Sequence, residues 1–367
     1  MRSMNGDDVN EAVAGCLAAL RPAVDRDWTA VPAGGLEWDC RTTAVHVADD
    51  LVAYASNLVA RAQDAYVPFE LTPDEGAGNA DLLQVLEATG GLLAAAVDTA
   101  PPGVRAYHNY PYGSADRAGF AAMGVAEVLL HTHDMTQGLG LPYEPSADLA
   151  ESVLTWLFPH VQPGPEPWPT LLWATGRGEL PGRARVTEWR WRNNLVIPTE
   201  RCTLTGIRPA EAHDLRLGGD GGFDWLGGEP YTGTQQAAGF LVKAYQAGVH
   251  RPEFGVFAVV RNEDGRALGG IGFHSAPDEE GRVEIGYDLV EEARGQGYAT
   301  EALRTLTEWA LAREDVDLVL LAIEHGNTAS QRVAARAGFV RATVEEERTA
   351  HDEHDMETGL GLYLRRS

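Results

Sequence analysis

The stretch Val283 to Leu306, VEIGYDLVEEARGQGYATEALRTL, constrains the fold of this chain more than any other. Val283, Ile285, Tyr287 and Leu289 alternate with Glu284, Gly286 and Asp288, as expected of a half-buried strand. A glycine-rich turn, Arg294-Gly295-Gln296-Gly297, follows. From Tyr298 an apolar stripe at helical spacing runs through Ala299, Ala302, Leu303, Leu306, Trp309 and Ala310. Glycines at a helix entrance let backbone N–H groups approach an anion, and the helix dipole favours negative charge there. A phosphate or pyrophosphate is therefore the expected ligand; the plain alternative is a tight turn that helps the helix pack on a sheet. No Gly-Lys-Ser/Thr follows, so the turn is not a Walker loop. It lies late in the chain and lacks the third glycine of a dinucleotide fingerprint.

Arg294-Gly295-Gln296-Gly297-Tyr298-Ala299 resembles the Arg/Gln-x-x-Gly-x-Gly/Ala acyl-CoA loop of the GNAT N-acetyltransferases. Downstream, NTASQRVAARAGF, with Asn327, Ser330, Gly338 and Phe339, resembles the Asn-x-x-Ser/Ala helix of the same family. The resemblance runs from about Arg201 to the C-terminus and is nearest to the branch that acetylates ribosomal-protein N-termini. It implies an α/β domain with a mixed sheet and acetyl-CoA as cofactor. Its binding residues would be Arg294, Gly295, Gln296, Gly297, Tyr298, Ala299, Thr300 and Asn327. The partner it implies is an amine acceptor, either a small molecule or a peptide. In the family, the loop and helices after the first strand line the acceptor pocket. Phe223, Trp225 and Tyr231 are the corresponding candidates here, unless they merely pack under that loop.

An amine attacking a thioester must first lose its proton, and a carboxylate on a central strand can accept it directly or through water. Glu284 is placed for that role, with an ordinary exposed strand position as the alternative, and His274 and His325 are next in line as bases. Many relatives protonate the leaving thiolate from a Tyr four residues after the position of Ser330. That position is Ala334 here, so Ser330 is the candidate donor.

The 367 residues are enough for two domains. The formal charge of −25 and a pI near 4.7 repel nucleic-acid phosphates, so neither DNA nor RNA is an expected partner. No run of 18 apolar residues occurs and MRSMNGDDVN lacks the apolar core of a signal peptide, so no membrane partner is expected. Cys16, Cys40 and Cys202 are widely spaced with no CxxC, which points to a reducing cytoplasm.

The first half reads as helices with short connections. One stripe runs Val9, Val13, Cys16, Leu17, Leu20. A second helix follows Trp38, with Asp39 or Thr42 as N-cap. A third spans about Ala80 to Val97, a fourth about Phe120 to Gln137 with Gly138 as its stop, and a fifth starts near Ser146. The pattern predicts an up-and-down bundle. Glu127 and His131, four apart, share one face of the fourth helix, and His46 lies in the second. Two imidazoles and a carboxylate suit a catalytic divalent ion, with zinc the first choice. Otherwise His46 is a hydrogen-bonded core residue and Glu127/His131 a surface pair. Asp134 is expected at the helix end or behind the ligands.

Trp38 with TTAVHVADDL, then GVAEVLLHTHD, resembles the DinB-like superfamily, most nearly the N-terminal domains of mycothiol-dependent maleylpyruvate isomerases. That resemblance implies a divalent metal on His46, Glu127 and His131, and a low-molecular-weight thiol as a further partner. Arg183 to Trp191 alternates as a strand would, and Pro198-Thr199 reads as a linker before a first strand at Cys202–Ile207. The expected organisation is thus α + α/β: a DinB-like metal-binding bundle over 1–197 and a GNAT domain over 198–367. The leading expected function is acetyl transfer to an amine. The alternatives are thiol- and metal-dependent isomerase or transferase chemistry in the bundle, or a bundle that only binds or dimerises.

Overall fold

A computed structural model describes residues 4–101, 103–109, 113–162, 164–347 and 360–366. The chain divides into two compact units, Met1–Asn194 and Leu195–Ser367.

The first unit is helical: α1 (Gly6–Leu20), α2 (Cys40–Ala60), α3 (Asn79–Thr99), α4 (Arg117–Leu139), α5 (Ala147–Leu157) and α6 (Pro167–Ala174), with a short antiparallel pair β1 (Arg105–Tyr107) and β2 (Ser114–Asp116). Three of the long helices start where an N-cap side chain satisfies orphan N–H groups. Asn5 accepts from Asp7 and Asp8, Asp39 from Thr42, and Asp116 from Gly119. Helix α4 lies at the centre, buried without a break from Ala118 to Thr132, and packs against α1, α2, α3 and α5. α3 is long and apolar enough by composition to cross a membrane, yet Leu82, Leu86, Leu93 and Val97 are buried inside this bundle.

Two expectations for this unit are corrected. Gly138 does not end α4; Gly140 does, at φ +64°. Gly138 sits inside the helix because the backbone of Pro32 and Ala33 presses on it where a side chain would be. Residues 183–191 form no strand. Trp189 and Trp191 lie on the helical core, and the Arg183 guanidinium covers the Trp173 ring at 5.0 Å. The alternation there records side chains laid on helices.

Among the described residues, the second unit is a mixed sheet of eight strands in the order β3-β4-β5-β6-β7-β8-β10-β9. Its elements are β3 (Val196–Pro198), β4 (Cys202–Gly206), α7 (Pro209–Arg216), α8 (Thr232–Gln246), β5 (Val256–Arg261), β6 (Ala267–Phe273), β7 (Arg282–Tyr287), α9 (Tyr298–Leu311), β8 (Leu318–Glu324), α10 (Thr328–Arg336), β9 (Val340–Arg341) and β10 (Leu360–Arg366). The α/β class expected here is observed. Pro198 is not in a linker: it ends edge strand β3 opposite Thr203, where a missing N–H is tolerated. The closing hairpin is formed by β9 and β10, with 348–359 outside the described residues.

One feature of the sheet sets up the site. β7 and β8 are parallel and pair only at Arg282↔Leu318, Val283↔Val319 and Glu284↔Leu320. Beyond Glu284 the two strands part, although β7 runs on to Tyr287 and β8 to Glu324. The far edge of β8 stays paired with β10 along its whole length. A wedge therefore opens next to Ile285, Gly286 and Tyr287, whose backbone groups on that side have no partner strand.

Candidate functional sites

In the helical unit α2 and α4 bring His46, Glu127 and His131 together, their potential ligand atoms all within 4.8 Å of one another. Glu127 Oε2 lies 3.2 Å from His131 Nε2 and 3.8 Å from His46 Nε2. Donors around a tetrahedral zinc with bonds of ~2 Å stand ~3.3 Å apart, so the set has the right size and chemistry for an ion. Behind it, His131 Nδ1 meets Asp134 Oδ2 at 3.1 Å. Asp134 in turn accepts from Arg177, through Nε at 3.0 Å and Nη2 at 2.8 Å. A carboxylate on the outer nitrogen fixes the ring and its tautomer, as it does for metal-bound imidazoles. Trp38 covers the outside, its ring centroid 4.8 Å from that of His46 and 6.4 Å from that of His131.

The same crowding governs the charges. Burial works against a charged His131, but the hydrogen bonds it donates to Asp134 and Glu127 outweigh it and push the imidazole up to about 9. Burial is also the largest influence on Glu127, yet the His131 contact holds its carboxyl below the usual value. His46 is lowered, its burial outweighing the opposing charge of Glu127. Asp50, one turn after His46 with Oδ2 at 3.3 Å from Nε2, is pushed up to about 8 by burial and then by Glu127. Asp50, Tyr54 and Arg177 were not singled out from the sequence. The i, i+4 spacing His46/Asp50 mirrors Glu127/His131 and could have identified Asp50; the approach of Arg177 has no local signal.

In the second unit Gly295 and Gly297 adopt φ +75° and +89°, and Gly297 caps α9. The side chains of the loop are tied back. Arg294 Nε donates to the Leu289 carbonyl and its guanidinium lies over the Tyr231 ring at 4.7 Å. Gln296 Nε2 donates to the Glu292 carbonyl. Tyr298 is buried beneath Arg201, at 4.5 Å, while Ala299 and Thr300 are half-buried in the first turn. What the loop offers outward is backbone N–H at the start of a helix of 14 residues. Arg201 is a residue the sequence did not reveal: it pairs with Glu301 (Nε to Oε2, 2.8 Å) and donates to the Gln296 carbonyl. Its Nη2 lies 3.3 Å from where a Cβ on Gly297 would stand.

Asn327 caps α10, its Oδ1 accepting from Ser330 N at 3.0 Å. Across the wedge, the Tyr287 hydroxyl donates to the Ser330 carbonyl at 3.3 Å. Burial raises that phenol and keeps it protonated. Ser330 and Tyr287 therefore stand at the same place, although Tyr287 reads in the sequence as an ordinary strand position.

Glu284 is half-buried on β7, its Oε1 3.2 Å from His274 Nδ1. That contact holds the imidazole above its ordinary value of 6.5. His274 lines a cavity of about 680 Å³ beneath α8, together with Tyr287 and Asp288; Phe223, Trp225 and Tyr231 do not line it. Trp225 is core and Phe223 packs against that core, so for these two the packing alternative holds.

Residues 201–340 match the family model described as acetyltransferase (GNAT) domain. Two curated relatives are the uncharacterized N-acetyltransferases YjdG and YoaA of Bacillus subtilis (strain 168). YjdG is 37% identical over 87 residues, which is 24% of this chain and 52% of the relative. YoaA is 24% identical over 152 residues, 41% of this chain and 85% of the relative. The chain thus spans about half the length of YjdG. Among solved structures, an acetyltransferase from Agrobacterium tumefaciens str. C58 is 21% identical, covers 51% of this chain and all of its own, and superposes with a TM-score of 0.34. The second unit carries a GNAT acetyltransferase domain.

Proposed function

We propose that the chain transfers an acetyl group from acetyl-CoA to an amine in its second unit. The observation that carries this is the combination of the Gly295–Gly297 turn at the head of α9 with the wedge between β7 and β8. The turn suits a pyrophosphate. The wedge leaves strand N–H groups free to bind the extended arm of the cofactor and to polarise its thioester carbonyl. Asn327 and the backbone from Arg294 to Thr300 complete the cofactor site. Acetyl-CoA supplies the activated acyl group. The amine nitrogen bonds to the acetyl carbon, the C–S bond breaks, and a proton passes from nitrogen to the base while the thiolate takes one from a hydroxyl.

His274, on the cavity, acts as the base facing the amine, and Glu284 holds and charges it from behind. Neutral imidazole is the working form. Its pKa is raised in the folded protein, so activity is absent at low pH and rises through a value above 6.5. Removing the carboxylate charge should move that midpoint downwards. The Glu284→Gln variant is expected to show an acid limb of kcat/KM shifted to lower pH and a roughly tenfold loss of kcat; an unshifted limb would return the role of base to Glu284 itself or to another group. The proton for the thiolate comes from the Ser330–Tyr287 pair. Tyr287→Phe should lower kcat about a hundredfold with KM for acetyl-CoA unchanged, and full activity in Tyr287→Phe with loss in Ser330→Ala would assign the donor to Ser330 alone.

The helical unit supports a second reading: a DinB-like bundle holding a divalent ion on His46, Glu127 and His131. The donor geometry and the Asp134–Arg177 support behind His131 favour it. Such an ion, zinc first, would supply Lewis acidity and could bind the sulfur of a low-molecular-weight thiol. Asp134 orients His131, Trp38 packs against His46, the Tyr54 hydroxyl donates to Glu127 Oε1 at 3.5 Å, and Asp50 stands beside His46.

A further inference from the structure

The cavity beneath α8 has a chemistry of its own. Gly270, Gly272 and Gly286 form its floor, and none can carry a side chain without displacement: an added Cβ would meet Thr234, the Gly255 carbonyl and the His274 ring respectively. Space is thereby kept open between the sheet and the helix. The walls are apolar: Phe240, Leu241, Val249, Phe254, Ile271 and Phe273. Phe240 and Val249 are 62% and 67% exposed, so two large apolar groups stand at the mouth with little protein covering them.

The charged groups of the lining are already engaged. Asp288 accepts from Thr234 Oγ1 at 2.7 Å and from Gly270 N at 3.1 Å. Arg251 donates to Asp315 at 2.8 Å and lies over the Phe254 ring. His250 stands beside the Tyr245 ring. His274 also lines the cavity, and Glu284 holds it at 3.2 Å. A ligand entering here meets a mainly apolar wall, with His274 as its proton acceptor and Gln236 and Ser275 as further polar groups. The carboxylate of the lining, Asp288, already accepts two hydrogen bonds, so a second ammonium group would lose its water for little in return, which is costly. An aryl or branched alkyl group gains ~25 cal/mol per Å² of apolar surface it buries. The volume of about 680 Å³ suits a small molecule or one terminal residue.

We propose that the acceptor is a primary amine carried on an apolar group, aryl or branched alkyl, and not a polyamine or a polyhydroxylated amine. This rests on the acetyl-transfer reading above. The test uses the full chain with acetyl-CoA and four amines: 2-phenylethylamine, isoamylamine, spermidine and ethanolamine. The two apolar amines should be acetylated with kcat/KM at least tenfold above the other two. Ala237→Trp, which narrows the cavity from α8, should raise KM for 2-phenylethylamine at least tenfold. Phe240→Ser, at an exposed position, should raise it several-fold without loss of fold. Both variants should bind acetyl-CoA as the parent does, measured by calorimetry. Equal or better use of spermidine or ethanolamine would overturn the proposal. So would unchanged KM in both variants, or no turnover of any of the four by a protein that binds acetyl-CoA. Failure to bind acetyl-CoA would instead remove the acetyl-transfer reading on which it rests.

Discussion

Gly297→Val is expected to abolish acetyl-CoA binding, with affinity reduced at least a hundredfold in a protein that still folds. Gly297 sits at φ +89° as the cap of α9, a conformation that costs a β-branched residue on the order of 1–2 kcal/mol or more. The local backbone must therefore shift, and with it the N–H groups from Gln296 to Thr300. The new side chain would also stand where the pyrophosphate is proposed to approach, its Cβ 3.3 Å from Arg201 Nη2. The surrounding fold has independent supports. Glu301 in the first turn of α9 is bound by Arg201 and Thr199, and Leu303, Leu306 and Ala310 are buried. Calorimetric titration with acetyl-CoA reads the effect; unchanged affinity would remove the phosphate from this loop.

His131→Ala is expected to remove a bound metal and its stabilising effect together. An ion on His46, Glu127 and His131 ties α2 to α4. Binding to the folded state alone contributes about 2.7 kcal/mol at a free concentration one hundred times Kd, or roughly 5–10 °C in Tm for a unit of this size. The substitution leaves the bundle core intact, because the ring occupies the site and Leu129 and Leu130 beside it carry the packing. It leaves Asp134 on Arg177, and Glu127, which loses its His131 contact, keeps His46 at 3.8 Å and the Tyr54 hydroxyl at 3.5 Å. Elemental analysis after growth with zinc, nickel or manganese, with melting curves of the full chain with and without chelator, compares the two proteins. Metal retained by His131→Ala, or none in the parent, would contradict the site. Acetyl transfer should continue in His131→Ala, since its proposed groups all belong to the second unit.

Signals that are local in the chain were legible in the sequence. The strand, turn and helix around Gly297 rest on periodicity and on two glycines, and the helices of the first unit on apolar stripes and the Asp39 cap. Pairings set by tertiary contact were not. His274 and Glu284 lie across a turn between neighbouring strands, and only the β6–β7 register brings them together. Tyr287 occupies a strand position whose side chain reaches a helix 43 residues on. Gly138 looks like a helix stop, but it is small because Pro32 presses on α4, and α4 continues to Leu139. Trp189 and Trp191 alternate without a neighbouring strand because their partners are helices. Pro198 punctuates the sequence, yet it fits the open side of an edge strand. In each case the local pattern was real, and a contact made from far away decided its meaning.

Product analysis with the full chain, acetyl-CoA and 2-phenylethylamine tests the central claim most directly. Free CoA thiol and N-acetylated amine, followed together by thiol titration and mass spectrometry, should appear in equal amounts in the parent and be absent in Gly297→Val. Thiol release without acetylated amine across a wide amine panel, or product formed equally by Gly297→Val, would contradict amine acetylation at this site.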